Sequence, residues 1–137
     1  MANKYQGDLD IAISHQLREN QFLDMNDDGF KELLFNYQAL YSGTPRVLYA
    51  LNIENNTFLK SQQTGAYLRI NALIDLDNDG QKEIICGSSS PAKNKPASTF
   101  FLHDYSSWIV VYDRHLKTKG QLMEIAGLSS GIYLFTH

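Results

Sequence analysis

The chain has 137 residues, 43% hydrophobic and 20% charged, with a formal net charge of −3, the size and apolar content of one domain able to bury a core. Its 12 Lys and Arg residues are dispersed, which excludes the basic stripe that a nucleic-acid backbone requires. No window approaches the ~18 continuous apolar residues of a membrane-spanning helix, the start MANKYQGDLD lacks a charged-then-apolar signal pattern, and a single Cys86 excludes an internal disulfide.

Period-two alternation and short apolar runs dominate, so an all-β chain of antiparallel strands is expected. LDIAIS at 9–14 alternates Leu9, Ile11 and Ile13 with smaller or polar residues. RVLYALNI at 46–53 sets Val47, Tyr49, Leu51 and Ile53 on one face. Asn55 and Asn56, which tolerate left-handed backbone, then predict a hairpin into TFLKSQ at 57–62. Further strands are predicted at 67–76, 82–87, 106–113, 119–128 and 131–136. WIVVY (108–112) and EIIC (83–86) are apolar at consecutive positions, which implies cover on both faces, as in sheets stacked on sheets. Within EIIC, Cys86 reads as a small buried hydrophobe. The stretch 88–98, SSSPAKNKPAS, reads as a solvated surface loop.

One pattern occurs twice. FLDMNDDGFKELLF at 22–35 and LIDLDNDGQKEIIC at 73–86 align Asp24 with Asp75, Gly29 with Gly80, Lys31 with Lys82 and Glu32 with Glu83, each loop being followed by apolar strand residues. A period of about 50 residues with three or four strands per unit points to stacked-sheet or propeller-like repeats. Positions 1, 3, 5 and 9 are Asp24, Asn26, Asp28 and Glu32 in the first loop and Asp75, Asp77, Asp79 and Glu83 in the second. Alternating oxygen donors around a glycine suit a hard cation: Gly29 or Gly80 permits the turn, and the carbonyl of Phe30 or Gln81 can add an oxygen. With neither cysteine sulfur nor imidazole on offer, calcium fits better than zinc. An EF-hand needs a glutamate at position 12, where this chain has Phe35 and Cys86, so the ninth-position glutamate must close the site. Because Asn26 replaces one acid, the first loop is expected to bind more weakly.

These loops resemble the FG-GAP or VCBS-type repeat of integrin-α-like β-propellers and many secreted bacterial proteins, whose loop reads D-x-D-x-D-G-x-x-D before an apolar strand. DLDNDGQKEIICG matches it, including Gly87 after the strand. DMNDDGFKELLF matches in the loop but has Asn36 where that glycine falls, and both copies carry Glu at the ninth position. The resemblance covers about 22–125 and implies propeller-blade-like sheets braced by two structural Ca²⁺. The expected layout is a single β-repeat domain over 1–137, with repeats at about 22–72 and 73–125 and flanking strands at 5–21 and 126–137. Two units cannot close a propeller, which needs about four blades or more. The chain is therefore expected to be a fragment of a larger exported protein, extracellular, cell-surface or periplasmic, or to self-associate through open sheet edges.

Other chemistry is sparse. His15, His103, His115 and His137 sit in no recognisable catalytic pattern, and no nucleophile elbow or phosphate-cradling loop is present. Tyr37, Tyr41, Tyr105 and Trp108 are candidates for a rim that stacks on a sugar or protein partner. The expected function is a non-catalytic calcium-binding module that meets a protein or carbohydrate ligand. The alternatives are the sensor region of a membrane receptor or kinase, and the scaffold of a secreted polysaccharide-active enzyme.

Overall fold

Short apolar runs punctuated by Asn, Asp and Gly give eight strands and no helix among the residues that the computed structural model describes, 15–39, 45–89 and 94–126. The strands expected at 9–14 and 131–136 lie outside them, as does Tyr41. β1 (His15–Leu23), β2 (Glu32–Ala39), β3 (Arg46–Asn52) and β4 (Thr57–Lys60) form one antiparallel sheet in chain order. β5 (Tyr67–Ile74), β6 (Glu83–Ser89), β7 (Ser106–Tyr112) and β8 (Met123–Ala126) form a second in the same way. The protein is all-β, built of two blade-like sheets. Each sheet takes in the strand before its Asp-rich loop, so the sheets stand one strand out of step with units counted from loop to loop. Backbone pairing is the cause: the strand entering a loop bonds to the strand leaving it, with Leu23 opposite Glu32 and Ile74 opposite Glu83.

Register fixes which side chains correspond. Leu33 faces Leu51 in the first sheet as Ile84 faces Tyr112 in the second. The first sheet buries Leu34, Leu48 and Ala50, while the second buries Ile84, Cys86, Val110 and Tyr112, the counterparts of Leu33, Phe35, Tyr49 and Leu51. The sheets thus meet through opposite faces, the back of one on the front of the next, and share a single apolar core. In RVLYALNI Tyr49 and Leu51 are consequently only half-buried, although Val47 on the same face is buried, and Leu48 and Ala50 take the deeper side. Ile53 leaves the strand and is 62% exposed, because it begins the turn in which Asn56 takes φ 55° and Asn52 Oδ1 accepts the Asn55 N–H at 3.2 Å.

The two sheets are joined by 61–66, which first runs beside β3, Ser61 N–H donating to Leu48 O at 2.9 Å and Thr64 N–H to Arg46 O at 3.0 Å. It then crosses to the β6–β7 connection, Gly65 and Ala66 N–H donating to Phe101 O and Leu102 O at 2.8 and 2.7 Å. A Cβ on Gly65 would lie 2.8 Å from Lys95 Cβ and 2.9 Å from Phe100 Cβ, so only glycine fits this passage. Across it runs a buried ion pair: Arg46 and Asp104, 1% and 0% exposed, lie 3.5 Å apart. Arg46 also donates to Gly65 O and covers the Tyr67 ring at 3.8 Å, while Asp104 accepts the N–H groups of Lys95 and Asn94 at 2.7 and 3.1 Å. The stretch 88–98 is therefore not simply solvated. Ser88 is buried in β6, and Lys95 is buried with its pKa lowered by desolvation and by the nearby Arg46 charge.

Removing one half of the pair leaves a buried charge without its counter-ion, so Asp104→Ala is expected to cost about 3–5 kcal/mol in urea unfolding. Gly65→Ala is expected to cost about 1–3 kcal/mol in the same measurement, through overpacking against Lys95 and Phe100.

Candidate metal centre

Both Asp-rich loops leave the end of one strand and return as the next, and each is shaped by its own side chains. In the first, Asp24 accepts the N–H of Asp28 (Oδ1, 3.2 Å) and of Gly29 (Oδ2, 2.8 Å), Asn26 Oδ1 also approaches the Asp28 N–H at 3.2 Å, and Asp28 Oδ1 accepts from Phe30 at 2.8 Å. In the second, Asp75 accepts from Asp79 (3.1 Å) and Gly80 (2.9 Å), Asp77 from Asp79 (3.3 Å), and Asp79 from Gln81 (2.8 Å). The correspondence extends to the backbone. Asp27 and Asn78 both take φ 60°, and Gly29 and Gly80 take φ 88° and 89°, a conformation that other residues adopt only under strain. The loops are one structure built twice.

The ninth-position glutamates close them. Glu32 and Glu83 open β2 and β6, are 5% and 2% exposed, and accept the N–H of Met25 and Leu76 through Oε2, both at 2.8 Å. Position 12, Phe35 or Cys86, lies within a strand in both copies, as the spacing requires. In the second loop Asp75, Asp77 and Glu83 each offer an oxygen, and these atoms lie within 4.8 Å of one another. That cluster can hold a metal ion. Its donors are all oxygen, which matches a hard cation rather than zinc.

The remaining Glu oxygen distinguishes the loops. Glu32 Oε1 accepts a neutral amide, Asn52 Nδ2, at 2.7 Å, whereas Glu83 Oε1 lies 2.8 Å from the Lys119 ammonium, which also reaches Asp77 Oδ2 at 2.7 Å. Lys119 is aimed there by the β7–β8 connection. Asp113 Oδ1 caps the N–H groups of His115 and Lys117 at 2.8 and 3.0 Å, Leu116 plugs the core at 1% exposure, and Lys119 N–H is pinned to Val111 O at 2.7 Å. The Lys119 contact lowers the Asp77 pKa from 3.8 and raises that of Lys119. At the ligand positions, the second loop's four acids with the Lys119 ammonium carry the same formal −3 as the first loop's three acids, so charge count alone no longer ranks them.

The loops lie at one end of the molecule. Arg114, from the same connection, approaches Asp27 at 3.5 Å and lines a hollow of about 140 Å³ between the loops together with Asp24, Gly80 and Lys82. Comparison of the chain with protein-family models, curated proteins and solved structures found no match.

The aromatic candidates scatter. Tyr105 is 48% exposed and Tyr37 half-buried, but Trp108 belongs to the core, its indole N–H donating to His103 O at 2.9 Å. His103 is engaged on both sides: Nδ1 accepts the Tyr105 N–H at 3.2 Å, and Nε2 lies 3.1 Å from Glu124. Asn52, Arg114 and Lys119 were not legible as site residues, since each comes from a strand end or turn remote in sequence from the loop it meets.

In metal-free protein, NMR titration is expected to show Asp77 below 3.8 and to return it towards 3.8 in Lys119→Met. Because the folded pKa is depressed, the contact's stabilisation is present above pH 3.8 and is lost as pH falls through the lowered value.

Proposed function

We propose that the protein is a non-catalytic, calcium-binding repeat module of the FG-GAP/VCBS type, part of an exported propeller-like protein, that presents its loop end to a protein or carbohydrate ligand. The observation that carries this reading is the matching set of hydrogen bonds inside the two loops, with carboxylate oxygens clustered in the second. An ordinary turn needs no such duplication of Asp, Gly and Glu at fixed positions. The first site would draw on Asp24, Asn26, Asp28, Glu32 and the Phe30 carbonyl, the second on Asp75, Asp77, Asp79, Glu83 and the Gln81 carbonyl. Each metal would supply charge compensation that fixes the loop to its two strands; the role is structural. Two Ca²⁺ would change the formal charge from −3 to +1.

Exposed apolar residues next to the acidic positions support a binding role. Phe30 and Leu76, in the two loops, are 53% and 50% exposed, and Tyr105 adds a third exposed ring. Apolar side chains held out on a rigid loop provide contact area for a partner at little entropic cost.

Calorimetry on chelated protein is expected to show two calcium-binding events and a rise in Tm with calcium. Uptake absent below about 1 mM would remove the reading. Lys119→Met is expected to tighten the second site about tenfold, since calcium must displace the ammonium from Asp77 and Glu83. Asp77→Asn should weaken that site and leave the first unchanged.

A further inference from the structure

The contact between the two sheets is directional. The first sheet contributes its back face, Leu34, Leu48 and Ala50; the second contributes its front face, Ile84, Cys86, Val110 and Tyr112. Among the described residues, the faces not used in this contact are the front of the first sheet and the back of the second. They are the same two kinds of surface that already meet once inside the molecule.

Both remaining faces are mainly apolar, with Lys60 beside Tyr49 at the edge of one and Arg69 in line with Ile109 on the other. On the first sheet Leu33, Phe35, Tyr49 and Leu51 are only half-buried, and Phe58, paired with Leu51, is 60% exposed. Phe35 stacks on Tyr49 with centroids 5.4 Å apart, and Tyr49 meets Phe58 at 5.8 Å, so the rings form a continuous platform. On the second sheet Ile85, Ile109 and Val111, counterparts of Leu34, Leu48 and Ala50, are half-buried, and Met123, paired with Ile109, is 57% exposed. Apolar side chains gathered on one sheet face, with Phe58 and Met123 more than half exposed, are the kind of patch that marks an interface.

We infer that a second copy of this chain docks its second sheet's back face, centred on Ile109 and Val111, onto the first sheet's front face, centred on Phe35 and Tyr49. The stack inside the molecule is thereby continued between molecules. Such a contact is heterologous: the two partners use different surfaces, and association proceeds to a closed ring or an open stack according to the rotation per step. It uses the sheet faces and leaves the Asp-rich loops at the sheet ends, so it stands whether or not those loops bind calcium.

Heterologous contact has a signature in mixing. Sedimentation velocity of the wild-type protein is expected to show mass growing with concentration beyond one chain. Tyr49→Lys blocks one surface and Val111→Lys the other, so each variant alone is expected to be a monomer. A 1:1 mixture of the two retains one intact pair of surfaces and is expected to form a two-chain complex that grows no further. If either variant loses its folded circular-dichroism spectrum, Phe58→Lys and Met123→Lys, at exposed positions, replace them in the same scheme. A wild-type monomer up to about 1 mM, as when the face is covered within the chain itself, would overturn the inference. So would a mixture that stays monomeric, or association abolished by one variant and untouched by the other, which marks a symmetric contact.

Discussion

A carboxylate at the first residue of a strand, holding a backbone amide seven residues upstream, is the contact on which both loops depend. Glu32 and Glu83 are almost wholly buried, and a buried charge persists only if its lone pairs are met. One oxygen of each is met by the loop's own Met25 or Leu76 N–H. This ties the loop's entry to its exit. The remaining oxygen is where the two copies diverge, Asn52 serving one and Lys119 the other. A shared backbone geometry therefore carries two electrostatic environments.

The same economy governs the larger fold. Each sheet is a simple meander whose strands neighbour one another in sequence, so most pairing is local and the non-local work falls on the contact between sheets. Apolar packing supplies most of the attraction there. The buried Arg46–Asp104 pair adds direction, because its contacts to Gly65 O and to the Lys95 N–H form in only one arrangement of β3, the linker and the β6–β7 connection. With the sheets so fixed, both loops emerge at one end, and Arg114 from the second sheet can reach Asp27 of the first.

Much of this was written in local patterns. Loop spacing, the glycines at positive φ, the Asn55-Asn56 turn and the strand runs all act over fewer than about ten residues, where chain stereochemistry decides. The duplicated motif also announced two equivalent units. What eluded the sequence lies in contacts formed across the fold. Lys119 meets Asp77 across 42 residues, and nothing in KTKGQ distinguishes it from Lys117, which is exposed. Lys95 sits in a stretch of serines, prolines and lysines that looks solvated, yet its backbone is drawn inward by Asp104. Nor could alternation in RVLYALNI say which face would be deeper, because both faces are apolar and the choice belongs to the neighbouring sheet.

Gly65 bears on how the chain can be divided. Its backbone runs under Lys95, Phe100 and His103 with no room for a methyl group, so the strap at 95–103 closes directly over a linker that is itself bonded to β3. The second sheet is thus completed by something the first sheet anchors, and the two should open and close as one cooperative unit instead of as separable foldons. New termini or inserted segments fit at the Asn55-Asn56 turn, which lies in a run of exposed residues at 53–60, and are barred from 64–66, which is buried and bonded to Arg46 on one side and to Phe101 and Leu102 on the other.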